Sequence, residues 1–314
     1  MELPFFVSSY FKRLADDCPE LARQVFPSEM ENVVLDYEDS DPLCDNRNMP
    51  VKRLVHRYDD RVLILVTDRC ASYCRFCFRR HFTASGSSDI SKEELQDIVG
   101  YIARHDNIRE ILLSGGDPLM LANSKLVSVL SSIRNVRRDV IVRIGSRVPV
   151  FLPDRIDESL IDAIRDFKPI WLISHINHPA ELTDRASNVL SLFIDAGIPV
   201  ANQTVLLRDI NDNITILEEL FSSLLRIGVK PYYLLQGDLA AGTSHFRVPL
   251  ERSFSLYEKL SCRLSGLALP VFALDLPGGG GKIALSRSSV EYVDDNWYYF
   301  RSREGKIYKY PREE

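Results

Sequence analysis

Apolar and β-branched residues recur along this chain in short runs, each followed by a stretch with helical periodicity. The runs fall at 61–67, 110–114, 140–144, 170–174, 200–206, 231–235 and 271–274. Each is short and continuous enough for a strand buried on both faces. From the second to the sixth, the runs start about 30 residues apart, the length of one strand, one crossover helix and two loops. This predicts serial βα units with parallel strands, an α/β protein. Helix starts are marked by Ser91 with Glu94, which reads as a capping box, and by Asp157 before the amphipathic run 158–166. Seven strands fall short of the roughly eight that close a barrel, so the expected fold is a partial, open parallel βα barrel.

The flanks read differently. Residues 1–55 carry Pro4, Pro19, Pro27, Pro42 and Pro50 around one helical pattern, 9–25, and predict an N-terminal wrap. Residues 56–285 form the barrel core. Strand-like runs at 290–293, 297–301 and 306–310, with Glu304-Gly305 as a turn, predict a small C-terminal β extension over 286–314. The three parts read as one structural unit.

The composition is that of a soluble globular protein: 314 residues, 45% apolar and 26% charged. A formal charge of −5 argues against a protein that coats nucleic acid, and no basic stripe interleaved with aromatics supports one. No run approaches the ~18 apolar residues that cross a bilayer, and the first residues lack the pattern of a signal peptide. The expectation is a cytoplasmic protein with neither membrane nor nucleic acid as partner. Of six cysteines, Cys70, Cys74 and Cys77 crowd into one short segment, which in a reducing compartment suggests a metal centre. Cys18, Cys44 and Cys262 read as structural thiols.

In parallel α/β folds the loops beyond the carboxyl ends of the strands converge, and sites are built there. The unusual residues obey that rule: the cysteines follow the first strand, Gly115, Gly116 and Asp117 the second, Ser146 and Arg147 the third, and His175, Asn177 and His178 the fourth. Asp238 follows the sixth strand, and Asp275 with the run to Lys282 the last, whereas Asn202 and Gln203 sit inside a strand. Three thiolates spaced Cys70-x3-Cys74-x2-Cys77 can each bind one iron of a [4Fe–4S] cluster and leave the fourth iron open to a small molecule. The competing reading is a Cys3His zinc site completed by His81. In Asp275-Leu-Pro-Gly-Gly-Gly-Gly-Lys282 the lysine could clamp a phosphate or form a Schiff base with a carbonyl cofactor. A nucleotide P-loop is disfavoured because Ile283 stands where Ser or Thr is needed; a plain surface turn is the remaining alternative.

The cysteine spacing, followed by Leu113-Ser114-Gly115-Gly116-Asp117, resembles the radical S-adenosylmethionine (SAM) superfamily. With His56-Arg57-Tyr58-x-x-Arg61, Arg75, Arg79-Arg80, Arg143-Ile-Gly-Ser-Arg147, His175-Ile-Asn-His178-Pro179, Asn202-Gln203-x-Val-Leu-Leu-Arg208-x-Ile-Asn211-Asp212 and Pro277 to Lys282, the resemblance narrows to the lysine 2,3-aminomutases, from about His56 to Lys282. It implies a partial βα barrel that uses a [4Fe–4S] cluster, SAM and pyridoxal 5′-phosphate (PLP). Carried over by position, Cys70, Cys74 and Cys77 hold the cluster, Lys282 is the aldimine lysine, and Arg57 and Arg61 anchor the PLP phosphate. Ser114, Gly115, Gly116, Asp117, His175 and Gln203 contact SAM. Arg79 pairs with the substrate α-carboxylate, Asp238 and Asp275 hold the ε-ammonium of lysine, and Arg79-Arg80-His81 as a group reads as substrate and cofactor contact.

The resemblance implies interconversion of L-α-lysine and β-lysine, an isomerisation by 1,2-amino migration through a 5′-deoxyadenosyl radical. An acidic pair facing an arginine is also a physical ruler for a molecule with a carboxylate and a distant cation. An electron donor such as flavodoxin or ferredoxin is implied, and a homo-oligomer remains open. The chain lacks the C-terminal cysteines with which fermentative members hold zinc, so no structural zinc is expected. Its cysteine loop is closer to the branch that makes β-lysine for elongation factor P, whereas the Asp275 and tetraglycine segment resembles the free-lysine branch. Rival readings are an aminomutase for arginine or glutamate and a non-enzymatic zinc-binding module.

Overall fold

The computed structural model describes residues 3–83 and 88–313. Its main sheet has nine strands in sequential order: β1 (Leu54–Tyr58), β2 (Arg61–Thr67), β3 (Glu110–Gly115), β4 (Ile141–Ser146), β5 (Ile170–His175), β6 (Val200–Val205), β7 (Lys230–Leu235), β8 (Val271–Leu276) and β9 (Gly281–Ala284). The strands from β2 to β8 pair in parallel, and these are the seven runs expected from the apolar pattern. β1 and β9 are added antiparallel at the two edges. They do not pair with each other, so the barrel is open.

Both edge strands escaped the sequence reading. β1 has two apolar residues before His56-Arg57-Tyr58, and β9 is four residues long behind a glycine run that reads as a loop. That run turns the chain back on β8, with Gly278 at φ 64° and Gly279 at φ 85°, in the left-handed region that favours glycine. The expected boundary at 55/56 therefore cuts through β1.

Helices Lys92–Ala103, Asn123–Val136, Glu158–Ile164, Asp184–Asp195, Ile214–Arg226 and Leu250–Arg263 connect successive parallel strands. Both expected caps are present: Ser91 Oγ accepts from the Glu94 N–H at 3.1 Å while Glu94 returns the bond, and Asp157 Oδ1 accepts from the Leu160 N–H at 2.9 Å. Ile111, Leu113, Val142, Ile144 and Leu172 are fully buried in the core against these helices. The alternate positions Leu112, Arg143, Ile173, Gln203 and Tyr233 face inward and line a cavity. Alternation in a strand thus divides one sheet into a packed face and a chemical face.

The N-terminal pattern 9–25 is two helices, Ser9–Asp17 and Pro19–Val25. The break falls at Cys18 (φ −138°, ψ 107°), because the ring of Pro19 disfavours helical backbone in the residue before it. The C-terminal runs form a separate antiparallel sheet, β10 (Val290–Val293), β11 (Trp297–Arg301) and β12 (Ile307–Pro311), turned at Gly305 (φ 83°).

Candidate active site

A cavity of about 470 Å³ opens at the carboxyl ends of the parallel strands. The loop bearing the cysteines leaves β2 and is pinned at once to the loop leaving β3. The Gly116 N–H donates to the Thr67 carbonyl at 2.6 Å and the Asp117 N–H to the Arg69 carbonyl at 2.8 Å. Only glycine permits this approach: a Cβ on Gly116 would lie 2.2 Å from the Arg69 carbonyl oxygen, and one on Gly115 (φ +113°) 2.3 Å from that of Thr67. The Asp117 carboxylate is fully employed, accepting from Ser146 Oγ (2.7 Å) and from the N–H groups of Arg147 (2.7 Å), Val148 (3.2 Å) and Leu119 (3.0 Å). It braces the third loop against the second.

The cysteine loop is held from outside by the N-terminal wrap. Glu31 accepts from Arg75 Nε and Nη2 at 2.8 and 2.6 Å and from Arg80 Nη2 at 2.8 Å, and Arg80 Nη1 reaches the Ala241 carbonyl at 2.9 Å. Behind the loop, buried Arg147 donates to Cys74 Sγ at 2.9 Å, to Gln24 Oε1 at 2.9 Å and to Glu181 Oε2 at 2.7 Å. The three thiols border the cavity. Burial raises all of them, Cys77 to about 11; charge on Cys77 and Cys74 raises Cys70 further and charge on Cys74 raises Cys77, whereas the Arg147 guanidinium pulls Cys74 back down.

Among the described residues no three His, Cys, Asp or Glu side chains stand close enough to hold one metal ion. His81, the fourth ligand of the zinc reading, lies 3.9 Å from Asp41 and does not border the cavity. Three thiols spread around a void, one of them already receiving an N–H, fit a polynuclear cluster better than a single ion.

At the opposite end the β8–β9 pairing sets Lys282 directly across from Asp275. The Lys282 Nζ donates to Asp275 Oδ2, and its backbone N–H donates to the Tyr58 hydroxyl at 2.9 Å. Arg57 and Arg61 flank the Tyr58 ring, their guanidinium carbons 5.3 and 4.7 Å from its centre. Arg57 Nη2 is buried without a hydrogen-bond partner, the mark of a site that a bound anion would complete. Lys282 beside two cavity-facing guanidiniums fits a carbonyl cofactor that carries a phosphate.

Between the two ends lie Asp238, pushed up to about 7 by burial and by the charge of Asp275, and Arg79. Arg79 Nε donates to Asp45 Oδ2 at 2.7 Å and Nη1 to Ser114 Oγ at 3.3 Å. His175 is held well below its ordinary range by burial and by the Arg147 guanidinium, and its Nε2 meets Asn177 Oδ1 at 3.1 Å. It is neutral at physiological pH.

The fifteen residues given individual roles from the sequence border this one cavity: Cys70, Cys74, Cys77, Arg57, Arg61, Arg79, Ser114, Gly115, Gly116, Asp117, His175, Gln203, Asp238, Asp275 and Lys282; Ser146 and Arg147 border it as well, whereas Asn177, His178 and Asn202 do not. Some placements need correction. Asp275 lies within β8 and Lys282 on β9, and Gly115, Ser146 and His175 are the last residues of strands rather than loop residues. Arg80 and His81 do not border the cavity: Arg80 is turned to Glu31 and the Ala241 carbonyl, and His81 toward Asp41. The sequence reading missed Asp45, Tyr58 and Tyr233, which also line the cavity. Asp45 sits in the wrap, where no local pattern marks it; Tyr58 stood inside a recognised motif but carried no chemistry by itself.

Residues 64–220 match the model of the radical SAM superfamily. The chain is 40% identical over 300 residues to the L-lysine 2,3-aminomutase of Fusobacterium nucleatum, an alignment covering 96% of this chain and 70% of that one. It is 39% identical to the L-lysine 2,3-aminomutase of Clostridium subterminale (92% and 69% covered) and 33% identical to the glutamate 2,3-aminomutase of Clostridioides difficile (96% and 72%). Among solved structures, Streptococcus suis SuiB bound to S-adenosylmethionine superimposes with a TM-score of 0.52 at 14% identity, over 70% of this chain and 51% of that one, a likeness of fold.

Proposed function

From the chain's membership of the lysine 2,3-aminomutase family of radical SAM enzymes, we propose that it is an L-lysine 2,3-aminomutase, an isomerase that moves the α-amino group of lysine to the β-carbon. When bound, the [4Fe–4S] cluster and SAM supply a carbon radical and PLP supplies a carbonyl that carries the migrating nitrogen. In this reading the barrel that starts with β1 at Leu54 and runs through β9 is catalytic, the residues before it are its wrap and the C-terminal strands a β extension.

The protein's own tasks are binding, orientation and exclusion of water. Cys70, Cys74 and Cys77 would hold the cluster, with the Arg147 N–H on the Cys74 sulfur stabilising thiolate charge. Ser114, Gly115, Gly116, His175 and Gln203 would line the SAM site, with Asp117 acting through its brace on the third loop. A neutral His175 adds no positive charge beside a sulfonium. Arg57 and Arg61 would take the PLP phosphate and Lys282 its carbonyl carbon. Asp275, already in contact with Nζ of Lys282, would keep a cation in place whether that cation is the lysine side chain of the protein or of the substrate.

The observation that carries the substrate is the set of charges in one cavity: Arg79 offers a cation for a carboxylate, and the Asp238–Asp275 pair beside Lys282 offers two acids for an ammonium. A carboxylate at the distal end of a glutamate would meet two acids, an arrangement that costs binding, so lysine is favoured over glutamate. Six free cysteines and an oxygen-sensitive cluster suit a cytoplasmic location, with a flavodoxin or ferredoxin as reductant and a homo-oligomer as a compatible assembly. No helix among the described residues is long and apolar enough to cross a membrane.

The test is an anaerobic assay of the reconstituted protein with L-lysine, SAM, PLP and a strong reductant, following β-lysine by chromatography. β-Lysine formation is the expected result. Bound cluster and PLP with no β-lysine from free lysine would sink the substrate assignment.

A further inference from the structure

Asp238 lies in the loop after β7, and that loop is gripped by both ends of the chain. On one side, the Asp39 N–H donates to the Leu239 carbonyl at 2.9 Å, the Ala241 N–H returns a bond to Asp39 at 3.0 Å, and the Gly242 N–H reaches Glu38 Oε2 at 3.2 Å. On the other, the buried hydroxyl of Tyr310, on β12, donates to the carbonyl of Gly237 at 2.7 Å and accepts from Gln236 Nε2 at 3.2 Å. Beneath them Arg247 packs so closely on Gly237 that a Cβ there would stand 3.0 Å from Arg247 Cγ. Arg247 is itself held by Glu38 (2.6 Å) from the wrap and Glu313 (2.9 Å) from the C-terminal segment.

The peptide that Tyr310 holds is the one joining Gly237 to Asp238. A hydrogen bond of 2.7 Å to this carbonyl restrains the planar peptide that leads into Asp238, and so narrows the directions in which the Asp238 side chain leaves the backbone. We propose that Tyr310, acting with the Arg247 that packs on the same Gly237, is a positioning residue that sets the distance between Asp238 and the rest of the cavity, and thereby selects the length of the diamino acid accepted. The proposal rests on the reading of Asp238 as a ligand of the distal ammonium. It assigns the C-terminal sheet, which lies outside the matched superfamily region, a direct part in substrate selection.

The experiment compares wild type, Tyr310→Phe and Asp238→Asn as reconstituted holoenzymes, with L-lysine and with L-ornithine, one methylene shorter. Tyr310→Phe removes one hydroxyl and leaves the Gly237 carbonyl without its donor, an effect on the order of 1 kcal/mol, or about fivefold. The expected result is a KM for lysine raised roughly fivefold with kcat within about twofold, and a lysine-to-ornithine ratio of kcat/KM lowered by a similar factor. Iron, sulfide and PLP content should stay at wild-type levels. A merely structural tyrosine would lower activity on both substrates alike, and that outcome, or an unchanged ratio in folded protein, overturns the proposal. Should Tyr310→Phe not fold, Glu313→Gln loosens Arg247 while keeping the hydroxyl; its ratio should fall in the same direction, and an unchanged ratio counts equally against. If Asp238→Asn leaves the lysine KM unchanged, the reading of the acidic pair is wrong. If it raises KM while Tyr310→Phe does not, only the positioning role is lost.

Discussion

Asp238 shows how burial turns an ordinary side chain into a pH-dependent one. A carboxyl that titrates at roughly 3.9 when unfolded is raised here to about 7 by desolvation and by Asp275. Because the folded value lies above the unfolded one, the associated stability is fully present below about 4 and is lost as pH rises through about 7. Asp238→Asn should therefore raise the melting temperature of cofactor-free protein at pH 8 and leave it unchanged at pH 4, as thermal scans at both values would show. Binding runs the other way: protonation below about 7 removes charge that an ammonium needs, so the lysine KM should climb as pH falls. In Asp238→Asn that limb should flatten, with KM raised about 10- to 100-fold. Two further substitutions separate the cavity's ends. Lys282→Ala should abolish the visible absorbance of bound PLP and keep iron and sulfide, whereas Cys74→Ala should lose the cluster and all turnover; loss of both cofactors in each variant would count against separate sites.

Elements carry the site through close approaches between loops more than through their own regularity. The stem of the cysteine loop exists because Gly115 and Gly116 let two backbones touch. Gly116→Ala should release that stem, and iron content after reconstitution should fall to near zero. Gly278→Ala is the matched comparison, since nothing lies within 4 Å of its added Cβ. Its cost is confined to left-handed backbone, about 1–2 kcal/mol, and its iron content should stay at the wild-type level. The seven parallel strands were legible from apolar runs because one face packs against helices and the other lines a cavity that needs few polar side chains per strand. β1 and β9 were not, because an edge strand with one neighbour needs little apolar sequence. Yet β9 is the element that places Lys282 opposite Asp275.

Across the whole molecule, the two ends of the chain close on the barrel through buried charge. Arg247 and Glu38 are 1% and 0% exposed, and such a pair is destabilising to break because one charge is left without a partner. Arg247→Met should lower unfolding stability by about 3–5 kcal/mol, measured by urea denaturation of the cofactor-free protein. A loss comparable to that of a surface substitution would show that the clasp is incidental. Glu31 does the same at the mouth, tying the wrap to Arg75 and Arg80. This is why Arg80, which in sequence looks like a neighbour of the site, is part of its scaffold.

Sequence alone determined what depends on local spacing and on residue chemistry. It specified seven parallel strands at a regular interval, the helix caps at Ser91 and Asp157, three thiols on one loop, and a lysine behind glycines. With the family's motifs it also brought together fifteen residues that the fold does gather in one cavity. Tertiary structure decided which of those residues face the cavity with a free hand. Asp117 is spent on a brace, Arg79 already holds Asp45, and Asp275 meets Lys282 across a strand pair. Tertiary structure also recruited Asp45 and Tyr310 from the chain's two ends. Asp45 meets Arg79 across 34 residues and Tyr310 meets Gly237 across 73; such partners leave no periodicity in sequence, because their meeting is set by how the sheet curls and not by any local preference of the backbone.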